Sequence, residues 1–270
     1  MSTILEEITA RKRLDLERTK AQYPTRQLYQ SVEQEMETSV HHSFSEALLA
    51  SSTGIIAEFK RKSPSLGWIK EEAQPEDVVP SYIQNGATAL SILTDEPYFG
   101  GRSEFIVLMR PKAQIPILRK DFIIDEYQVF EAKHIGADAI LLIAACLSRR
   151  ECNDLARMAR SLQLDVLLEI HDEAELDYIS EYTSVVGVNN RNLHLFKTDI
   201  QTSFQLSHRI PQEFVKISES GLKTIEDLLL LRAAGFNGFL MGERFMKQDH
   251  PGQALGQFIS QLTSASQSRT

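Results

Sequence analysis

Eight short apolar segments, separated by helix-sized intervals, are the feature that most constrains how this chain can fold. In chain order they read IIAEFK, ALSILT, PILRKDF, AILLIAA, DVLLEI, SVVGVN, FVKISES and GFLMG. The intervals include stretches that predict helices: DEYQVFEAKHIG, SRRECNDLARMARSL, DEAELDYISEY and KTIEDLLLLRAAG. Strands that alternate with helices are typical of parallel βαβ units. Eight such units favour an α/β fold, a single (β/α)8 TIM barrel.

A weak internal repeat supports the barrel. The segments NGATALSIL, IGADAILLI and AGFNGFLMG each place a glycine (Gly86, Gly136 and Gly235) between a helix and the next strand. A glycine there can take the left-handed conformation that ends a helix. The alternative is an open doubly wound sheet, but the sequence has no GxGxxG or Walker-type loop, the usual ligand signature of that fold.

The part of the chain before the first strand predicts helices. From Met1 to about Lys20, apolar residues are interspersed with charges at helical spacing, and SFSEALLAS predicts a second helix. A length of 270 residues suits one α/β barrel or two ordinary domains. We therefore expect residues 1–53 to form an N-terminal helical extension that packs on a catalytic barrel of residues 54–270, as one integrated domain.

Composition limits the kinds of molecule that this protein is expected to bind. The formal charge of −8 argues against nonspecific nucleic-acid binding, so an anionic ligand needs a local basic cluster. Two cysteines, Cys146 and Cys152, are too few for a disulfide framework, and we expect both to be free thiols. The charged N-terminus is unlike a signal peptide, and no apolar run reaches transmembrane length. These features predict a cytoplasmic protein that binds neither nucleic acid nor membrane.

Charged and amide side chains end several of the predicted strands. In IIAEFKRKSPSLGW, Glu58 and Lys60 are two residues apart and therefore face the same way. A single charge of this kind is usually a structural ion pair. In a barrel, however, the carboxyl ends of all strands meet at the face that carries active sites. Four strands contribute, which predicts a catalytic set: Glu58, Lys60, Lys120, Glu169, Asn189 and Arg191.

Such a set can perform acid–base chemistry. Burial raises the pKa of a glutamate, and nearby cations lower the pKa of a lysine. Either shift would bring proton transfer toward neutral pH.

Small residues after the last two strands predict a phosphate site. SESG ends the seventh strand and LMGER ends the eighth, where many barrels bind phosphate through backbone N–H groups. Ser220, Gly221 and Gly242 leave room for an anion, and Ser63 of the first loop adds a hydroxyl. Taken singly, each is equally compatible with an ordinary βα turn.

Five ordered segments resemble the successive motifs of the indole-3-glycerol phosphate synthase family: IIAEFKRKSPSLGWI, LSILTDEPYFGG, ILRKDFIIDEYQVFEAKHIGADAILLIAA, VGVNNRNL and SESGL. The resemblance covers nearly the whole chain. It implies a (β/α)8 barrel with extra N-terminal helices. It also implies a carboxy-lyase of tryptophan biosynthesis, which converts 1-(2-carboxyphenylamino)-1-deoxyribulose 5-phosphate into indole-3-glycerol phosphate, carbon dioxide and water.

The resemblance also implies roles for the acid–base residues. Lys120 resembles the general acid that protonates the substrate carbonyl during ring closure. Lys60 is similar to the lysine that holds the anthranilate carboxylate and supplies a proton in dehydration, although the division of the two acid steps stays open. Glu169 resembles the base that removes the last proton, and Glu58 is implied to orient and tune the lysines.

The remaining matches concern binding. Asn189 is implied to hold a substrate hydroxyl and Arg191 to support the charge network. Ser63, Ser220, Gly221 and Gly242 match the phosphate cradle, whereas a carboxylate at Glu243 would repel phosphate, so only its backbone N–H fits. The resemblance implies no metal or redox cofactor and a small phosphorylated substrate derived from anthranilate. It leaves open an association with other enzymes of the tryptophan pathway.

Two alternatives remain at this stage. One is an enzyme similar to phosphoribosylanthranilate isomerase, but that related barrel uses a cysteine on its first strand, which here carries Glu58 and Lys60. The other is a non-catalytic barrel that binds phosphate. Outside the proposed set, we interpret His171 as structural, because it lies at a helix start beside the predicted N-cap Asp172. We expect Trp68 to help close a mobile loop after the first strand.

Overall fold

The computed structural model describes residues 3–37, 40–191 and 197–268. Met1 of the predicted first helix lies outside these residues, as do Asn192 and Leu193 of the motif VGVNNRNL. The strands are β1 (Ile55–Phe59), β2 (Lys62–Ser63), β3 (Gly67–Trp68), β4 (Ala89–Leu93), β5 (Ile117–Lys120), β6 (Ala139–Ile143), β7 (Asp165–Ile170), β8 (Val185–Asn189), β9 (Val215–Glu219) and β10 (Gly238–Met241).

Helices occupy most of the remaining described chain. The α-helices are α1 (Ile4–Gln22), α2 (Thr25–Met36), α3 (Phe44–Ala50), α4 (Pro75–Gln84), α5 (Glu96–Phe99), α6 (Glu104–Met109), α7 (Glu126–His134), α8 (Arg149–Ser161), α9 (Gln201–Ser207), α10 (Ile225–Ala233), α11 (Glu243–Met246) and α12 (Pro251–Gln267). Short 3₁₀ helices cover Arg110–Lys112, Ala144–Cys146 and Glu173–Tyr178. No helix in the described ranges is both long and apolar enough to cross a membrane.

The parallel strands close into a barrel. Within the described chain, eight strands follow the order β1-β10-β9-β8-β7-β6-β5-β4, and β4 pairs back onto β1. All eight predicted segments are strands of this barrel, so the (β/α)8 prediction is confirmed and the open-sheet alternative is wrong. The remaining two strands, β2 and β3, form an antiparallel hairpin directly after β1.

The repeated glycine turn is confirmed as well. Gly86, Gly136 and Gly235 have φ values of +90°, +89° and +93°, and each follows the last turn of a helix. The positive φ ends α4, α7 and α10 and redirects the chain into the next strand.

Strand alternation separates two cores. On β1, Ile55, Ala57 and Phe59 belong to the larger apolar cluster between the strands and the outer helices. Ile56 belongs to a second cluster together with inward-facing residues of other strands. Because side chains alternate along a strand, Glu58 follows Ile56 onto the inner face. The barrel thereby directs the charged ends of its strands into a common interior.

The N-terminal extension contains one helix that the sequence analysis did not predict. In α2, Leu28 and Val32 are buried, and the Tyr29 ring stacks on Phe130 of α7. Elsewhere the predicted helix DEAELDYISEY is only a 3₁₀ helix, Glu173–Tyr178, because Ile179 already adopts an extended conformation. As predicted, Asp172 caps its start.

The extension contacts both ends of the barrel. At the carboxyl end of the strands, Lys12 of α1 lies 2.9 Å from Asp95 and 2.8 Å from Asp121. At the opposite end, Asp165 accepts hydrogen bonds from the backbone N–H of Ser45 (2.9 Å) and the hydroxyl of Ser43 (3.1 Å). The residues before β1 therefore span the barrel from one end to the other.

Candidate active site

A cavity of about 210 Å³ lies at the carboxyl ends of the barrel strands. Residues of α1 (Ile4, Leu5 and Ile8) contribute to its wall. Every residue that the sequence analysis placed in the site lines this one cavity: Glu58, Lys60, Ser63, Lys120, Glu169, Asn189, Arg191, Ser220, Gly221, Gly242 and Glu243. The fold therefore brings together residues that are up to 185 positions apart, from Glu58 to Glu243.

Lys120 ends β5 with its ammonium group between two carboxylates. Its Nζ donates hydrogen bonds to Glu169 Oε2 and Glu219 Oε2, each at 2.9 Å. Both glutamates are almost fully buried. A buried cation with two hydrogen-bonded carboxylates is compensated in charge, so it can persist in the interior.

Glu219 is the main residue that the sequence analysis missed. It ends β9 on the same face as Ile217 and Val215, so the alternation rule applied to Glu58 and Lys60 would have found it. Room for its side chain comes from Gly187 on the neighbouring strand, where a Cβ would lie 2.5 Å from Glu219 Oε1. Glu219 Oε1 itself is buried without a hydrogen-bond partner among the described residues.

The pKa values of Lys120 and Glu169 are shifted by the contact between them. Burial opposes the charge on Lys120, but Glu169 and Glu219 outweigh it and raise the pKa of that lysine above its usual value. Burial likewise opposes ionisation of Glu169, yet Lys120 and His171 hold the pKa of its carboxyl well below the usual range. Both directions are opposite to those that burial of a glutamate or crowding of lysines would give, because the two residues pair with each other.

Glu219 instead has the pKa near neutrality. Burial raises its pKa to about 7, with repulsion from Glu169 adding to the effect and Lys120 opposing it. Lys120 is hydrogen-bonded to two carboxylates, and Glu169 also has the positive charge of His171 beside it. Within the described chain, Glu219 lacks that second positive charge and therefore retains its proton more readily. The cavity thus contains a protonated amine, an ionised carboxylate and a carboxyl that titrates near pH 7.

Glu58 and Lys60 form a second ion pair at the end of β1. Lys60 Nζ lies 2.6 Å from Glu58 Oε1, and the Glu58 side chain is buried. A Cβ at Gly242 would lie 2.6 Å from the same Oε1 and 2.8 Å from Glu58 Cβ. Gly242 therefore provides the space that lets the end of β1 carry a glutamate.

Glu169 also contacts a histidine. His171 Nε2 lies 3.3 Å from Glu169 Oε1, within ion-pair distance but without a hydrogen bond, and His171 Nδ1 lies 3.2 Å from Glu175 Oε2. Burial lowers the pKa of His171, but its contacts with the two glutamates outweigh burial and raise it to about 10. His171 is therefore an imidazolium at neutral pH.

Asn189 and Arg191 connect the end of β8 to the first loop. Asn189 Oδ1 accepts a hydrogen bond from the Arg191 backbone N–H at 3.0 Å. The Arg191 guanidinium donates to Ser65 Oγ at 3.1 Å, and Ser65 lies in the turn between β2 and β3. Trp68 of the same hairpin is 45% exposed and packs against Arg61, whose guanidinium lies 5.6 Å from the ring.

The predicted phosphate cradle has an irregular backbone. Ser220 and Gly221 have φ values of +65° and +72°, a conformation that is uncommon for serine. Asn190, also missed by the sequence analysis, holds this turn by donating to the carbonyls of Glu219 (3.1 Å) and Ser220 (3.0 Å). Ser63 Oγ is buried and has no hydrogen-bond partner among the described residues.

Glu243 follows Gly242 at the start of α11. Its carboxylate lies 2.7 Å from Lys247 Nζ, one helical turn further along the chain. This ion pair offsets the negative charge beside the proposed phosphate cradle and engages the side chain along the helix.

Comparison with known proteins decides the family. A family model described as indole-3-glycerol phosphate synthase matches residues 5–258. The chain belongs to the indole-3-glycerol phosphate synthase family. Among curated members, a synthase of Bacteroides thetaiotaomicron is 50% identical over 262 residues, which is 97% of this chain and 100% of that protein.

Two further synthases extend the comparison. The protein of Acidithiobacillus ferrooxidans is 43% identical over 94% of this chain and 98% of its own length. The protein of Legionella pneumophila is 40% identical over 96% of this chain and 100% of its own length. The resemblance inferred from the motifs is thereby confirmed over nearly the whole chain.

Proposed function

We propose that this chain converts 1-(2-carboxyphenylamino)-1-deoxyribulose 5-phosphate into indole-3-glycerol phosphate, carbon dioxide and water. The observation that carries the proposal is the position of Lys120, whose ammonium lies 2.9 Å from both Glu169 and Glu219 within the cavity. Membership of the synthase family supports the same reaction. The reaction needs no external oxidant or reductant, so acid and base side chains suffice and the proposal includes no cofactor.

Ring closure is the first proposed step. The aromatic carbon that bears the carboxylate bonds to the substrate carbonyl carbon while Lys120 protonates the carbonyl oxygen. A raised pKa keeps Lys120 protonated in the free enzyme, as a general acid requires. Lys60, held by Glu58, binds the anthranilate carboxylate until that group leaves as carbon dioxide, and its bonding electrons return to the ring.

Dehydration is the second proposed step. One of the two lysines protonates the hydroxyl, which departs as water. Glu169 then accepts the ring proton whose loss makes the indole ring aromatic. The lowered pKa of Glu169 supports this role because it keeps the group a carboxylate at neutral pH.

Binding of the substrate phosphate is proposed for the loops after β9 and β10. The backbone of Ser220, Gly221, Gly242 and Glu243, with the Ser63 hydroxyl, would hold it. Asn189 and Arg191 would bind the substrate hydroxyl and stabilise the charges near the first loop. Binding energy from this remote group can align the reacting carbons. As a biosynthetic enzyme acting on a small metabolite, the protein is proposed to be cytoplasmic.

The decisive experiment mixes chelator-treated protein with 1-(2-carboxyphenylamino)-1-deoxyribulose 5-phosphate and follows indole fluorescence. We expect a steady rise without added metal, with product confirmed by mass spectrometry. Bound substrate without any rise would instead support the non-catalytic barrel.

A further inference from the structure

We propose that His171 is a positioning residue for Glu169, holding its carboxylate ionised and turned toward the cavity throughout turnover. This inference rests on the proposed function, in which Glu169 is the general base. It concerns a residue that the sequence analysis interpreted as structural.

The geometry assigns one partner to each oxygen of Glu169. Oε2 accepts a hydrogen bond from Lys120 Nζ at 2.9 Å, while Oε1 lies 3.3 Å from His171 Nε2. Lys120 is the proposed acid, so its proton and its contacts change when the substrate carbonyl is present. His171 lies outside the cavity lining and is 13% exposed, so its contact does not depend on the substrate.

A third group fixes the imidazolium in place. Glu175 Oε2 lies 3.2 Å from His171 Nδ1 and also accepts a hydrogen bond from the His171 backbone N–H at 2.6 Å. Glu175 belongs to the 3₁₀ helix capped by Asp172. Carboxylate, imidazolium and carboxylate thus form a row that leads from the cavity into the loop after β7, with the one positive charge between two negative charges.

This arrangement has a consequence for catalysis. After Lys120 has moved its proton to the substrate, Glu169 would lose its strongest cationic partner and its basicity would rise too early. The imidazolium keeps a positive charge at Oε1 during that interval. The titratable groups that face this pair from the surrounding elements are Lys120 on β5, Glu175 after β7, Glu219 on β9 and the neutral thiol of Cys146 before α8.

The test compares His171→Gln, which removes the charge, with the natural chain across pH 5–9. We expect single-turnover rates, measured with enzyme in excess, to fall about tenfold throughout this range, because a carboxylate without its contact at Oε1 is held less firmly toward the reacting carbon. KM should change less than twofold. His134→Gln is the matched control: His134 also lies 2.9 Å from a glutamate, Glu35, but on the outer helix α7.

Glu175→Gln provides a second variant should His171→Gln fail to fold. It should lower the same single-turnover rate by a smaller factor. NMR titration of the His171 ring should show an imidazolium up to pH 8 in the natural chain and a lower pKa in Glu175→Gln. Single-turnover rates of His171→Gln equal to those of the natural chain, or a ring that titrates near its ordinary value of 6.5, would overturn the inference. Absence of turnover in the natural chain would instead refute the proposed function.

Discussion

At the scale of single residues, the cavity differs from a simple set of independent acids and bases. Contacts of 2.9 Å join Lys120 to Glu169 and to Glu219, so the protonation state of each of the three groups depends on the other two. One lysine between two carboxylates favours one ionised and one partly protonated glutamate. The same contact that keeps Glu169 ionised therefore supplies the cavity with a carboxyl that titrates near pH 7.

Replacement of Lys120 by Ala tests the proposed general acid. We expect kcat to fall by about 10²–10⁴-fold, the usual contribution of a positioned acid, with little change in substrate Kd. Single-turnover kinetics and equilibrium titration with substrate measure the two quantities separately. Lys112→Ala is the matched control because Lys112 is exposed just before the same strand. Near-normal turnover in Lys120→Ala would show that another group protonates the carbonyl.

Replacement of Glu219 by Gln tests the pKa near neutrality. A carboxyl whose folded pKa of about 7 exceeds its ordinary value of 4.5 binds more protons in the folded state between those values. Its stabilising contribution is therefore complete below pH 4.5 and is lost as pH rises through 7.

Urea unfolding of both proteins at pH 5 and pH 8 measures that effect. Relative to the natural chain, Glu219→Gln should gain up to roughly 3 kcal/mol between the two pH values, given about 1.4 kcal/mol per pKa unit. A free-energy difference that does not vary with pH would place the pKa of Glu219 near its ordinary value.

At the scale of secondary-structure elements, the positions of the strands were predictable from the sequence. The contacts between side chains on different strands were not. Apolar runs and glycine turns predict the eight strands, and period-two alternation predicts that Glu58 and Lys60 share a face. The pKa directions of Lys120 and Glu169 could not be predicted, because they depend on a contact between residues 49 positions apart. Glu219 was within reach of the alternation rule, whereas α2 has only Leu28 and Val32 fully buried and so gives a weak signal.

Helix α1 offers a prediction at this scale. Lys12 is 12% exposed and pairs with Asp95 and Asp121, whose side chains are 2% exposed. Lys12→Ala leaves both carboxylates buried without that cation and should cost about 3–5 kcal/mol of unfolding free energy.

The same helix contains the control for that substitution. Lys20 pairs with Asp125 at 2.8 Å, but both side chains are about 30% exposed, so Lys20→Ala should cost at most about 1 kcal/mol. Chemical denaturation of the two variants measures the difference. Equal losses would mean that the Lys12 contacts do not hold α1 on the barrel.

At the scale of the whole molecule, the extension and the barrel act on the same cavity. Residues 1–53 were expected to form one integrated domain with residues 54–270, and three kinds of contact support that proposal. Lys12 connects α1 to the carboxyl ends of β4 and β5. Ile8 of the same helix packs in the inner apolar cluster. At the other end of the barrel, Asp165 at the start of β7 accepts hydrogen bonds from Ser43 and Ser45. Because α1 also lines the cavity, its loss would open the proposed site as well as destabilise the fold.

This organisation predicts that the extension does not unfold separately. Trp68 is the single tryptophan and belongs to the hairpin after β1, so its fluorescence reports on the barrel, while far-UV circular dichroism also includes the helices of the extension. In urea, the two signals should change together, since separate elements that unfold cooperatively give coincident transitions. The double variant Lys12→Ala, Asp165→Ala lacks the polar contacts of the extension at the two ends of the barrel. In this variant the dichroism should decrease at a lower urea concentration than the fluorescence. An early dichroism transition in the natural chain would mean that the extension is a separate folding unit, resting on a barrel that is stable without it.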